Sequence, residues 1–352
     1  MSNCKAYCIS CLFIDIFLFK PIKIDKKKKI GVISLQHHQN IGNNLLKYAI
    51  FIKLSELGFD PYIIGTYAKN SNISFLKNNV RIRIIKRFSE IRKKDYDILI
   101  VNSDQTWRKW RGPNFYNIAF LKFAEKWNIP KFIYGTSIGH NAWTLNKDDE
   151  IIAKRLLKKF TGISVRDIGL VELIKNHLRL EASFVLDPTL LINKKYYLKI
   201  IENYKNDCSK MNYIFTYKLK KSSKIAQFKR EASIKLNYSI FNVDMNENEY
   251  VEKFIFGIYH CKALITSSFH GTIFAMIFNK PFISFKGKND ERLDTLKRIF
   301  NFKHRILNLD EIPNYLLLKE PLSFNRILLD DLKMKSIRYL RKNLNITNSF
   351  NN

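Results

Sequence analysis

At 352 residues, with 46% hydrophobic and 14% aromatic side chains, the chain is longer than one core usually serves and has material for two. Its 61 Lys plus Arg against 31 Asp plus Glu give a formal charge of +30, which selects acidic partners: phosphorylated small molecules, anionic lipid or nucleic acid. The basic residues are dispersed in a chain generally rich in Ile, Lys, Asn, Phe and Tyr, without zinc-finger spacing, an RNA-binding signature or an arginine-rich arm, so nucleic acid is set aside.

Residues 1–29 read as an apolar and basic extension. The run AYCISCLFIDIFLF over 6–19 is interrupted by Asp15 and followed by Lys20 and a basic stretch over 23–29. It is shorter than the roughly 20 apolar residues of a spanning helix, and its charges follow the apolar core where a secretory signal has them in front. Two readings stay open: an interfacial helix in peripheral contact with an anionic membrane, and a poorly ordered extension. Cys4, Cys8, Cys11, Cys208 and Cys261 form an odd, mostly N-terminal set that fits a reducing cytoplasm better than a disulfide framework. The first three lack the nearby histidines or second pair of a metal site, and no metal-ligand cluster or redox cofactor is called for elsewhere.

The globular part opens with a strand over 31–35 and a helix over 43–57 ending at Gly58. Strands follow over 62–67, 97–101 (DILIV) and 131–137, with a polar, basic variable region over 69–94. A helix over 148–160, a strand over 162–166, a helix over 168–177 and a strand over 182–186 complete a first domain, 30–193. The lysine-rich stretch over 194–212 reads as the boundary. The second domain, 205–320, alternates strands over 213–217, 239–243, 263–266 and 281–285 with helices over 221–236, 247–259, 272–278 and 291–300. A helical segment over 321–344 is placed to cross back to the first domain, and 345–352 reads as a disordered tail. This alternation predicts α/β architecture with parallel sheets: two Rossmann-like domains facing a cleft between their strand ends.

The residues with chemistry cluster at those strand ends. In ALITSSFHGTIFAMIFNKPFISF, over 263–285, Ser267 and Ser268 are natural helix caps, which puts His270 in the first turn of a buried helix beside N–H groups that attract anions. A histidine that only caps or packs there is the competing reading. QHHQNIGNN, over 36–44, is a polar turn before the first helix; Asn40, Gly42 and Asn43 would let backbone amides approach a phosphate, although the turn lacks a dinucleotide fingerprint and the GK[ST] of a P-loop. His37 and His38 alone are weak evidence. In NSDQTW, over 102–107, Asp104 and Gln105 suit hydrogen bonding to hydroxyls and Trp107 offers a face for a sugar; a capping role for Asp104 is the alternative. Arg166 in SVRD carries a fork that matches a carboxylate or phosphate, unless it pairs internally with Asp167 or Asp187. His140 in TSIGHN is a weaker candidate.

Taken in order, NIGNN, NSDQTW, TSIG, SVRD, VLDPTLL, TSSFHG leading into FNKPFISF, and RLDTLKRIFNF over 292–302 resemble the polysaccharide pyruvyl transferase family over roughly 30–310. The resemblance implies a GT-B-like architecture and transfer of pyruvate from phosphoenolpyruvate onto two hydroxyls of a saccharide or lipid-linked saccharide. A cyclic ketal forms and phosphate leaves, as part of surface or exopolysaccharide biosynthesis in the cytoplasm or at the inner face of the plasma membrane. It places the catalytic histidine at His270 and the anion-binding arginine at Arg166. Asp104 would orient or deprotonate the acceptor, and Asn40, Gly42, Asn43, Gln105, Ser268, Gly271 and Arg292 would line the substrates. Well-studied branches carry an arginine where Ser268 stands, a charge that Lys280, Lys286 or Arg292 could replace; Asn102 stands where a glycine is common. A GT-B-type sugar-nucleotide glycosyltransferase and a non-catalytic carbohydrate-binding protein are the alternatives. Pyruvyl transfer requires the His270 ring to face a positively charged crevice near Arg166.

Overall fold

The computed structural model describes residues 27–34, 40–66, 73–102, 104–108, 112, 114–205, 211–243 and 250–346. The apolar extension up to residue 26, the tail beyond 346, His37, His38 and the cysteines other than Cys261 lie outside them. Among the described residues no helix is long and apolar enough to cross a membrane.

In the first half, strands β1 (Lys29–Ile33), β2 (Asp60–Gly65), β3 (Ile82–Ile84), β4 (Ile98–Val101) and β5 (Lys131–Ile133) form a parallel sheet of order β3-β2-β1-β4-β5. The inner strand β4 is buried at all four positions, as expected where helices cover both faces of a parallel sheet. Short strands β6 (Ser164–Val165) and β7 (Ser183–Phe184) pair in parallel and continue the sheet past β5 through bridges Phe132–Gly162 and Thr136–Val165. The helices are α1 (Ile41–Glu56), α2 (Ser74–Asn79), α3 (Phe115–Phe120), α4 (Lys147–Leu157), α5 (Ile168–Leu178) and α6 (Lys194–Ile200). Helix α6 lies within the lysine-rich stretch read as the boundary. Its lysines stay at the surface while Tyr197 is fully buried, 4.8 Å from the Phe274 ring and donating to Thr189 O at 2.7 Å.

The second half holds β8 (Tyr213–Tyr217), β9 (Ser239–Asn242), β10 (Ala263–Thr266), β11 (Phe282–Lys286) and β12 (Ile306–Asn308) in the parallel order β12-β11-β10-β8-β9. Its helices are α7 (Ser223–Leu236), α8 (Tyr250–His260), α9 (Phe269–Ile277) and α10 (Glu291–Ile299). A last helix, α11 (Arg326–Asn343), lies on the first sheet: Tyr339 donates to Ile133 O at 2.8 Å, and Ser336 Oγ accepts from Leu186 N at 2.9 Å. One continuous hydrophobic cluster joins α1 and α11 to α8 and α9, so the halves share a core.

The strand orders fix where a ligand can bind. In each sheet the chain reverses its winding direction once, between β1 and β4 in the first and between β8 and β10 in the second. Such switch points open a crevice at the carboxyl ends of the strands. The segments after β1 and β4 carry Gly42 and Asp104, and those after β8 and β10 carry Lys218 and His270.

Candidate active site

Helix α9 sets the first residue. Ser268 caps it, its Oγ accepting from Gly271 N at 3.3 Å, and its carbonyl accepts from Thr272 N and Oγ1. The cap fixes the helix start, and His270 follows as its second residue. The ring is 4% exposed, so the expected open crevice is closed in this conformation. Its Nε2 lies 3.7 Å from Asp187 Oδ2 without a hydrogen bond. Burial pushes the imidazole down to about 4, against the pull of Asp187 and Asp104 and with the help of Arg166 and Arg292, so the ring is neutral near neutral pH.

The other side of that ring is Gly42. A Cβ built there would overlap the imidazole Nδ1 and Cγ. Gly42 sits in the first turn of α1, where Asn40 caps the helix by accepting from Asn43 N at 3.4 Å. At Gly42, one of the positions expected to approach a phosphate, the neighbouring space is thus occupied by the histidine of the opposite half. Asn44 adds a second crossing contact, donating to Tyr250 Oη at 2.5 Å.

Arg166, at the end of β6, is 2% exposed and gives its two terminal nitrogens to Asp187 and Asp104. The internal pairing that competed with the anion-fork reading is therefore present, with Asp104 as the additional partner, while Asp167 is used elsewhere. Its Nε has no hydrogen-bond partner. Burial opposes the guanidinium charge; Asp104 and Asp187 overcome it and hold the group above its ordinary value. Asp187 is itself fixed, its Oδ1 accepting from Thr189 N at 2.9 Å and Thr189 Oγ1 at 2.6 Å. Arg292 of α10 reaches in from the second half, with Nη1 3.7 Å from Asp104 Oδ1 and a two-point hydrogen bond to Asp290 at 3.2 and 3.0 Å. Both guanidiniums lie over the Phe269 ring, at 4.7 Å for Arg166 and 5.6 Å for Arg292.

Of the cations considered in place of an arginine at 268, the structure brings only Arg292 into this group. Lys286 pairs with Asp294 at 3.1 Å, and Lys280 lies past the far end of α9, over the Tyr259 ring. Gln105 is turned onto Gly139 and accepts from Arg108 at 3.0 Å. Gly271 packs on Thr266, and half-buried His140 is not among the residues of the group. Trp107 is fully buried between Phe120 and Trp143, which corrects the expectation of a sugar platform. Asn102, in the place of a glycine, is buried and donates to Tyr134 O at 2.9 Å, tying β4 to β5. Sequence reasoning passed over Asp187 and Phe269 as site residues, and also exposed Lys218, which follows β8 within electrostatic reach of Asp104 and Arg292. Among the described residues no group of three His, Cys, Asp or Glu side chains is arranged to hold a metal ion.

Two doubly wound parallel sheets meeting at their switch points define the GT-B class shared by glycosyltransferases and sugar-nucleotide epimerases. Similar solved structures include UGT89C1 of Arabidopsis thaliana complexed with UDP-L-rhamnose, 13% identical over 91% of this chain and 98% of that one, TM-score 0.53. Others are a UDP-N-acetylglucosamine 2-epimerase homologue of Listeria monocytogenes (10% identical, 93% of each chain, TM-score 0.52) and the UDP-GlcNAc 2-epimerase of Methanocaldococcus jannaschii (13% identical, 89% of this chain and 99% of that one, TM-score 0.51). At these identities the likeness is one of fold. Among curated proteins no sequence matches significantly. The chain belongs to the polysaccharide pyruvyl transferase family, whose sequence signature matches residues 40–289.

Proposed function

We propose that this member transfers pyruvate from phosphoenolpyruvate to a saccharide or lipid-linked saccharide as a cyclic ketal, releasing phosphate, at the cytoplasmic face of surface-polysaccharide synthesis. The observation that carries the reading is the meeting of His270 with Arg166 and Arg292 where the two switch points face each other. Ketal formation needs a proton on the methylene carbon of the donor as a sugar hydroxyl adds to the neighbouring carbon. A second hydroxyl then displaces phosphate. The imidazole is the group of the cluster whose unperturbed pKa lies near neutrality, although burial lowers it here. A donor bearing phosphate and carboxylate beside it would raise its pKa, so protonation and donor binding are coupled. Asp104 joins the two arginines and acts by positioning them, a role that its pairing supports better than deprotonation of the acceptor.

The test is a phosphate-release assay with phosphoenolpyruvate and a panel of lipid-linked sugars, run beside labelled sugar nucleotides. Release that depends on both substrates is expected. Transfer from a sugar nucleotide would replace the reading with glycosyl transfer, and sugar binding without turnover would replace it with a carbohydrate-binding role. The packing of α1 on the ring supplies a second test. Gly42→Ala should push the imidazole out of position and lower phosphate release by about 10²-fold, with far-ultraviolet circular dichroism unchanged. Wild-type turnover in that variant would detach Gly42 from the site.

A further inference from the structure

Helix α5 begins without a cap of its own. Asp167 occupies the cap position, but its carboxylate is turned away, accepting from Ser137 Oγ at 2.6 Å and from Ile138 N and Gly139 N at 3.2 and 3.3 Å. The first amides of α5 are satisfied instead by the other half of the molecule. Thr295 Oγ1 accepts from Ile168 N and Glu291 Oε1 from Gly169 N, both at 3.1 Å. A carboxylate at a helix N-terminus is favoured both by the unpaired N–H groups and by the helix dipole. Glu291 is buried, its ionisation is opposed by that burial, and Arg298 also pairs with it.

Both partners of this contact are next to the site in sequence. Gly169 lies three residues after Arg166, and Glu291 is followed directly by Arg292. We propose that Glu291 is a positioning residue: by capping α5 from the opposite half it sets Arg292 beside Asp104 and Arg166. The proposal rests on the reading of this cluster as the donor-anion site. Docking of α10 on α5 and assembly of the two arginines are then one event.

The test uses the full chain and three variants. Glu291→Ala removes the acceptor, and Glu291→Gln keeps an oxygen for Gly169 N. Gly169→Ala acts from the other side, since a Cβ there would come within 2.8 Å of Glu291 Oε1. Amide exchange at Ile168 and Gly169 should accelerate in Glu291→Ala and Gly169→Ala. Their KM for phosphoenolpyruvate should rise about tenfold with kcat within about twofold, matching loss of one charge-assisted hydrogen bond, and Glu291→Gln should recover most of both. Alanine favours a helix interior, so a purely structural role predicts that Gly169→Ala leaves donor affinity untouched. Unchanged exchange in Glu291→Ala overturns the cap. Faster exchange with an unchanged KM overturns the positioning role. A wild-type protein that neither binds phosphoenolpyruvate in calorimetry nor releases phosphate from it removes the donor reading, and with it the positioning role, while the exchange data still decide the cap.

Discussion

His270→Ala is expected to lower phosphate release by on the order of 10²–10⁴-fold while the chain stays folded, because under the proposed function the variant removes the group that moves a proton at the donor carbon. The same variant has a signature that does not depend on turnover. Burial holds the native ring at about 4, and an unfolded histidine titrates near pH 6.5. Between these values the unfolded chain binds more protons than the native one, so stability rises with pH across the window. The contribution is fully present above pH 6.5 and is lost as pH falls toward 4, amounting to roughly 3 kcal/mol. Urea midpoints measured from pH 7 to pH 4 should therefore fall more steeply for the wild type than for His270→Ala. Binding of phosphoenolpyruvate near neutral pH should take up a proton, read by calorimetry in two buffers of different ionisation enthalpy, and the uptake should vanish in the variant. Near-wild-type phosphate release by His270→Ala would remove the imidazole from the chemistry.

Much of this arrangement is legible in the residues, for identifiable reasons. Parallel strands covered on both faces are continuous apolar runs, so β4, β8 and β10 stand out as ILIV, YIFTY and ALIT. His270 is marked by a capping serine ahead of an apolar helix. What escaped the reading depends on contacts between distant segments. Strand β12 is three residues long and follows His304 and Arg305, so its signal is swamped by charge. Helix α6 hides a buried tyrosine among lysines. Asp187 precedes a proline and reads as a turn residue, which it also is; pairing with Arg166 is one of the readings the residues leave open, but nothing local announces that the same oxygen lies near His270. Glu291 makes its contact across 122 residues to a backbone amide, a partner without a side-chain signature. The fork of Arg166 was recognised by its chemistry, but whether it meets a ligand or an aspartate is decided by the fold.

Replacing Arg166 by Met should produce the largest loss of stability among single substitutions in the site. The guanidinium lies between Asp104 and Asp187, all three nearly excluded from solvent. Taking such charges out of water is costly, and the pairing is what offsets the cost. Met fills much of the volume but leaves two buried carboxylates facing each other across an apolar side chain. The expected destabilisation is about 3–5 kcal/mol, seen as a lower urea midpoint with an unchanged slope. Lysine should rescue only in part, since a point charge cannot serve two carboxylates as a planar fork does. The interpretation makes a further demand: adding Asp187→Asn to Arg166→Met should restore part of the loss, because one uncompensated charge disappears, whereas unrelated defects would add. Donor binding should fail in every variant lacking the guanidinium, including the stabilised double variant. If the double variant were less stable than the sum of the single ones, the carboxylates would not be what Arg166 neutralises. If it bound phosphoenolpyruvate normally, Arg166 would be a structural ion alone, and the anion site would have to be built from Arg292 and Lys218.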